Sequence, residues 1–368
     1  MMEPAVGRPE KVESAPGTMP LLFQRYPDLA GKIPWLSLGT FPTRVHRLER
    51  CGLENLWVKR EDESSSLYGG NKIRKLEFAL AEALSAGKKK VVTMGGLGTN
   101  HGLATAIFCR EAGLSCRLLL FDQPVNEHVR RTMLLCNRYG ADMVYAGGML
   151  AAGARFFTLE KFFSRGAYFL PAGGSSPTGC MGAVNAAFEL ERQVREGKLP
   201  RPRYIICALG SGGTLAGLAL GTKLAGMDTE VLGVLVTVKR AAGYPVATTG
   251  TVKKLMKSTL ALLHRHSALV PPVKVAAPAI IEGYLGDGYG CDTGECLDAM
   301  AFMKEREGID LDPTYTGKCF AAVRDFVARM PAPGNVLYWH SYNSVDLASG
   351  VSGADWTALP KVFHRYFQ

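Results

Sequence analysis

Leu67-Tyr68-Gly69-Gly70-Asn71-Lys72-Ile73-Arg74-Lys75 opens the stretch from which the fold can be read outward. Gly69, Gly70 and Asn71 are turn formers, and Ile73, Leu76, Leu80, Ala83 and Leu84 follow at three- and four-residue steps. The spacing predicts a helix that starts at the turn and ends near Gly87. Lys72 then sits in the first turn, at the positive end of the helix dipole. That potential disfavours the ammonium form, and partial burial does the same. A lysine held partly neutral is what imine chemistry with a carbonyl cofactor needs. Lys75, one turn on, shares the face and is expected to stay cationic. A capped surface helix with solvated lysines has the same spacing, so the rest of the chain has to decide.

Outward from that helix, strands and helices alternate. Leu56–Lys59 reads as a strand before it, and the β-branched run Val91–Met94 as a strand after it. His101–Ala112 then reads as helix, Cys116–Phe121 as strand, Glu127–Asn137 as helix and Met143–Tyr145 as strand. The pattern continues with helix Ala151–Phe163, strand Tyr168–Leu170, helix Thr178–Arg195, strand Tyr204–Ala208 and helix Leu215–Leu224. Val231–Val238 reads as strand, and Val252–Leu263, Leu297–Glu307 and Cys319–Ala328 as helices. Such alternation predicts an α/β fold with parallel sheets flanked by helices. Met1–Thr18 is polar, lacks an apolar segment, and is expected to be a disordered tail rather than a secretory signal.

The bulk composition narrows the function. A chain of 368 residues is expected to form two domains or one large α/β unit. No apolar run is long enough to span a bilayer, so no membrane partner is expected. The formal charge is +10, but the basic residues are dispersed apart from Lys88-Lys89-Lys90. No aromatic-rich basic stripe accompanies them, which argues against nucleic acid. The nine cysteines are odd in number and contain no CxxC pair, which fits free thiols in a reducing cytoplasm. His264 and His266, two apart on a helix, point to different faces, and no metal site is expected.

Three glycine-rich loops join strands to helices. Gly210-Ser211-Gly212-Gly213-Thr214 bares backbone N–H groups at a helix start, and the Ser211 and Thr214 hydroxyls add donors. A phosphate is the natural occupant. No Lys-Ser/Thr pair closes the loop, so it is not a Walker loop. A dinucleotide fold competes: its next strand should end in an acidic residue, whereas this one ends Val238-Lys239-Arg240, which leaves an NADP oxidoreductase open. Gly95–Asn100 presents Thr99 and Asn100, and Ala172–Ser176 is the third loop.

Taken together, these blocks resemble the D-cysteine desulfhydrase and 1-aminocyclopropane-1-carboxylate deaminase family, pyridoxal-phosphate enzymes of fold type II. The likeness runs through Lys59-Arg60-Glu61-Asp62, Gly69–Lys72 with Arg74–Phe78, Asn100-His101, Gly173-Gly174-Ser175 and Gly210–Thr214. It ends in Asp287-Gly288-Tyr289-Gly290, Asp312-Pro313-Thr314-Tyr315-Thr316-Gly317-Lys318 and His340. The resemblance implies two domains, each with a mostly parallel twisted sheet: a large one from 19–74 plus 171–368 and a small one from 75–170. It implies that Lys72 joins the aldehyde of pyridoxal 5′-phosphate and moves protons at the substrate Cα. Gly210–Thr214 and Lys75 would hold the phosphate, Asn100 the 3′-oxygen of the pyridine, and Thr316 would lie beside the pyridine nitrogen. Thr99 would face the substrate carboxylate or Cα. Tyr289 and Tyr315 would border the reacting carbons, with Tyr315 made acidic by Lys72 and the cofactor. A homodimer acting on a small amino acid is the family expectation.

Within the family the residues lean toward a desulfhydrase. The deaminases resemble each other in a Glu after the tyrosine of Asp-Pro-x-Tyr and a Leu after the late His; here those places hold Thr316 and Ser341. A Thr hydroxyl cannot keep the pyridine ring protonated as a carboxylate does. Such a cofactor suffices to expel thiolate, whereas an unactivated cyclopropane asks for more. The expected reaction is α,β-elimination to a 2-oxo acid and ammonia, with sulfide if the substrate is D-cysteine. Gly98, Thr99, Gly102, Leu103 and Ser341-Tyr342-Asn343 depart from the usual pattern at the substrate end. β-Replacement, racemisation, deamination of the cyclopropane acid and a catalytically silent cofactor-binding protein stay open as alternatives.

Overall fold

The computed structural model describes residues 19–330, 334–347 and 354–368; the expected disordered tail, Met1–Thr18, lies outside them. Helix α1 (Leu21–Arg25) precedes strands β1 (Val45–Arg47) and β2 (Leu56–Arg60). After the glycine turn come α2 (Lys72–Ser85), β3 (Lys90–Gly96), α3 (Asn100–Glu111), β4 (Ser115–Phe121), α4 (Glu127–Arg138) and β5 (Asp142–Tyr145). Helices α5 (Met149–Phe157) and α6 (Leu159–Phe163) lead to β6 (Tyr168–Phe169) and the long α7 (Pro177–Arg195). Next are β7 (Tyr204–Leu209), α8 (Gly213–Leu224), β8 (Glu230–Leu235), the ribbon β9 (Arg240–Ala241) and β10 (Tyr244–Pro245), and α9 (Thr249–His266). The last elements are β11 (Ile280–Ile281), α10 (Gly294–Glu307), α11 (Thr316–Arg329) and β12 (Val336–His340).

Two sheets organise these elements. One has the order β1-β2-β12-β7-β8-β11 and is parallel except for β1; the other is the parallel sheet β5-β4-β3-β6. The predicted parallel α/β class is therefore what forms. The buried strands are Ile-, Leu- and Val-rich because helices cover both faces. Helices α7 and α8 cross closely through Gly217 and Gly221: a Cβ on Gly217 would stand 2.5 Å from both Ala183 Cβ and the Cys180 carbonyl. Residues 354–368 pack on the smaller sheet, with Leu359 and Phe363 buried in its core.

Two expectations change. The single helix Ala151–Phe163 is broken at Thr158, whose φ of −119° and ψ of −82° end α5 while its Oγ1 donates to the Ala154 carbonyl at 2.7 Å. A central strand that the periodicity did not predict, β12, lies between β2 and β7. Among the described residues no helix is long and apolar enough to cross a membrane.

Candidate active site

The carboxyl ends of the parallel strands converge on one cavity of about 590 Å³. Met94 and Gly95 of β3, Phe121 of β4, Ala208 of β7 and Ser341 just past β12 all line it. Strand ends of this kind are where open α/β sheets place ligands.

Lys72 projects into this cavity from the first residue of α2. Burial, then the Lys75 charge, pull its ammonium down from 10.5 to about 7, against the opposing pull of Asp312. Its Nζ donates to Asn71 Oδ1 at 2.8 Å, and Asn71 Nδ2 donates to Thr214 Oγ1 at 2.8 Å. One amide thus links the reactive lysine to the glycine loop, which lies far away in sequence. Gly69 N donates to Asn343 Oδ1 at 2.6 Å and Asn71 N to the Ser341 carbonyl at 3.3 Å, so the segment after β12 straps the turn that presents Lys72.

The loop Gly210–Thr214 lines the same cavity. Gly212, at φ +87°, turns the chain into α8, whose N-terminus has no side-chain cap. A Cβ on Gly213 would stand 2.5 Å from Ser175 Oγ and 3.0 Å from Lys75 Nζ, so glycine keeps this cradle open. Ser175 Oγ meets Ser211 Oγ at 2.7 Å and accepts from Gly213 N at 3.0 Å; Lys75 Nζ donates to the Gly173 carbonyl at 2.9 Å. Burial lowers Lys75 to about 8, so the cation expected from its spacing is a desolvated one. Bared N–H groups, hydroxyls and a buried ammonium form a fitting receptacle for a phosphoryl group.

Across the cavity, Tyr289 and Tyr315 bring their hydroxyls to 2.5 Å, and Lys72 Nζ lies 5.9 Å from the centre of the Tyr315 ring. Burial and the adjacent Tyr289 push Tyr315 well above 10, whereas the sequence expectation has Lys72 and the cofactor together lowering it. The pair holds its protons. Thr99 caps α3, its Oγ1 accepting from Gly102 N at 3.1 Å, and Asn100 is the first residue of that helix; both line the cavity. His101 is kept neutral by burial and by Lys72 and Lys75, and meets Thr93 Oγ1 at 2.9 Å.

Thr316 is placed differently from the other expected residues. Its side chain is buried against Asp312, accepting from Asp312 N at 2.7 Å and donating to Asp312 Oδ2 at 2.6 Å, and it does not line the cavity. Asp312 and Ser341 do. Ser341 is expected from sequence at the substrate end, whereas Asn71 and Asp312 are site residues that pattern reasoning did not single out as such; only the Gly-Asn-Lys and Asp-Pro-Thr-Tyr blocks around them carried a signal.

Comparison with known proteins agrees with this geometry. The family described as pyridoxal-phosphate dependent enzyme matches residues 36–341. A protein of Pyrococcus horikoshii, provisionally named a 1-aminocyclopropane-1-carboxylate deaminase, is 32% identical over 88% of this chain and 94% of its own. The D-cysteine desulfhydrase of Salmonella schwarzengrund is 31% identical over 84% of this chain and 94% of its own. The crystal structure of an ACC deaminase homologue superposes with a TM-score of 0.74 at 30% identity, covering 90% of this chain and 97% of the other. With a near-neutral lysine and a phosphate cradle facing one cavity, the chain belongs to the pyridoxal-phosphate-dependent enzymes and takes pyridoxal 5′-phosphate as its cofactor.

Proposed function

We propose that the protein is a lyase that removes a β-substituent from a small amino acid, in the manner of a D-cysteine desulfhydrase, leaving a 2-oxo acid and ammonia. The observation that carries this reading is Lys72 Nζ, held near neutrality in a cavity that also receives the α8 N-terminus and the Tyr289–Tyr315 pair. The cofactor, when bound, supplies the electron sink that makes the substrate Cα–H acidic. Gly210, Ser211, Gly212, Gly213 and Thr214 with Lys75 would hold its phosphate, and Asn100 at the start of α3 would bond its 3′-oxygen. Lys72 takes the Cα proton. The Thr99 hydroxyl, whose oxygen already accepts from Gly102 N, keeps its proton for the substrate carboxylate. Tyr315, protonated and bonded to Tyr289, delivers a proton to the departing group. Thr316 bonds Asp312 and does not line the cavity, which weighs against its contact with the pyridine nitrogen; Ser341, which does line it, would be the candidate in its place.

The remaining parts of the reading are structural. Residues 75–170 form the small unit, on which 354–368 pack, and 19–74 with the rest of 171–368 form the large one. Homodimeric assembly and a cytoplasmic location complete it; the nine cysteines, all unbridged, suit a reducing compartment. The dinucleotide reading of Gly210–Thr214 falls away, because that loop faces Lys72 across the cofactor site of a pyridoxal-phosphate enzyme.

The test is turnover by the purified holoprotein of D-cysteine, L-cysteine, β-chloroalanine and 1-aminocyclopropane-1-carboxylate, read as 2-oxo acid and ammonia. Release of 2-oxo acid from a β-substituted substrate, lost by about 10²–10⁴-fold or more in Lys72→Ala, supports the lyase. Faster turnover of the cyclopropane acid would make it a deaminase. An absorbance that no amino acid perturbs would make it a silent binder.

A further inference from the structure

The cavity extends beyond the cofactor cradle along a wall that, past Tyr289, the elimination chemistry does not use. Tyr289 packs with Met94, Phe121 and Met149 in one apolar cluster, its ring centre 6.3 Å from that of Phe121. From there the lining continues to Leu150 and Phe157 on α5 and to Tyr244 on the ribbon. These three are 48%, 60% and 74% exposed, so the outer end of the cavity is both open and apolar. The ionisable groups that line it are Lys72, Lys75, Asp312, neutral His101 and the tyrosines, and no arginine or glutamate lines it among the described residues. Asp312 is already committed: Oδ1 accepts from Thr314 N and Tyr315 N, and Oδ2 from Thr316 N and Oγ1.

We infer that the substrate carries a bulky, uncharged, apolar group on its β-sulfur, as in S-aryl- and S-alkylcysteines, rather than a bare thiol. This inference rests on the lyase reading above and specifies its substrate class. A distal carboxylate or ammonium laid against the buried Met94 and Phe121 would lose its water and find no partner. A bare thiol would leave that wall wet. An aryl or alkyl group covers it, and one well-fitted methylene already separates substrates by about 10-fold or more. The chemistry balances: Lys72 removes the Cα proton and the Cβ–S bond breaks with its electron pair on sulfur. The sulfur leaves as a thiol, and the three-carbon remainder takes up one water to give a 2-oxo acid and ammonia.

The experiment compares S-benzylcysteine with S-methylcysteine and cysteine, each as D and L isomers, by kcat/KM and by calorimetric binding to the holoprotein. The expected result is a preference for the benzyl compound over the methyl compound of about 10-fold or more in both measurements, with the thiol product detected. Phe157→Ser and Leu150→Ser should bring that ratio toward unity. β-Chloroalanine serves as the small reference substrate. If it is turned over while the benzyl compound is neither favoured in turnover nor bound more tightly, the inference is overturned and the lyase reading stands. If nothing is turned over, the lyase reading fails, and the binding ratio alone decides for or against the apolar subsite.

Discussion

A buried amine is an unusual thing to find at a helix start unless its charge is meant to be removable. Lys72 loses hydration on entering the cavity, and Lys75 adds repulsion; Asp312 restores only part of the difference. The sign of the linkage follows. The folded value, about 7, lies below the free-lysine 10.5, so between those pH values the unfolded chain holds the extra proton. The cost that the Lys72 ammonium imposes on the fold therefore falls away as pH rises through that window. Two outcomes are expected. First, labelling of Lys72 in the cofactor-free protein by pyridoxal phosphate, trapped with borohydride and located by peptide mapping, should be half-maximal near pH 7. A midpoint near 10 would contradict the burial argument. Second, Asn71→Asp keeps the shape of the residue whose Oδ1 accepts from Nζ but adds a charge 2.8 Å away. That midpoint should move to higher pH, because an anion in contact favours the ammonium form.

At the level of elements, the question is what fixes the start of α2. Arg74, two residues past the lysine, donates from Nε to Glu61 Oε2 at 2.5 Å and from a terminal nitrogen to Glu189 at 3.0 Å. Lys59 joins Glu189 at 2.5 Å and Gln193 at 2.8 Å. The cluster is almost wholly enclosed and ties β2 and α2 to α7. Burial pushes the Glu189 carboxyl up, but Arg74 and Lys59 hold it below the ordinary range. Arg74→Met would leave two buried carboxylates with one cation between them. A loss of about 3–5 kcal/mol is expected, read as a lower urea midpoint. Gly217→Ala should also destabilise, by about 1–3 kcal/mol, since its Cβ has no room against α7, whereas Gly294→Ala at the open start of α10 should not. These tight places explain what was legible in the chain. Strands such as Ser115–Phe121 and helices such as α2 announce themselves by local periodicity. Strand β12 does not: Val336–His340 is five residues long, buried throughout, and pairs with Leu56–Arg60 and Tyr204–Ile206, partners more than a hundred residues away. The Thr158 break was invisible for a different reason, because the apolar residues on both sides keep a helical spacing. In the site, Lys72 and Gly210–Thr214 could be found because turn chemistry marks them. Asn71, Asp312 and the wall of Met149, Leu150, Phe157 and Tyr244 could not, since their roles exist only once the strands are assembled.

On the scale of the whole molecule, the cavity is the place where the two sheets share a ligand. Met94, Gly95 and Phe121 come to it from the four-stranded sheet, Ala208 and the α8 N-terminus from the six-stranded one. A molecule that contacts both sides binds the folded chain and not the unfolded one, and so adds RT ln(1 + [L]/Kd) to stability, about 2.7 kcal/mol at a hundredfold excess over Kd. Stripping the cofactor with hydroxylamine should therefore lower the melting temperature, and returning pyridoxal phosphate should restore it. The phosphate cradle allows the effect to be divided. Inorganic phosphate alone should raise the melting temperature of the stripped protein, because the uncapped α8 start and Lys75 need no ring to attract an anion. Gly213→Val fills the space beside Ser175 Oγ and Lys75 Nζ and should abolish the phosphate shift. Lys72→Met should retain it, since the phosphate contacts do not pass through that amine. If pyridoxal without its phosphate stabilised the stripped protein as well as the full cofactor does, Gly210–Thr214 would not be the anchor that joins the two halves of the site.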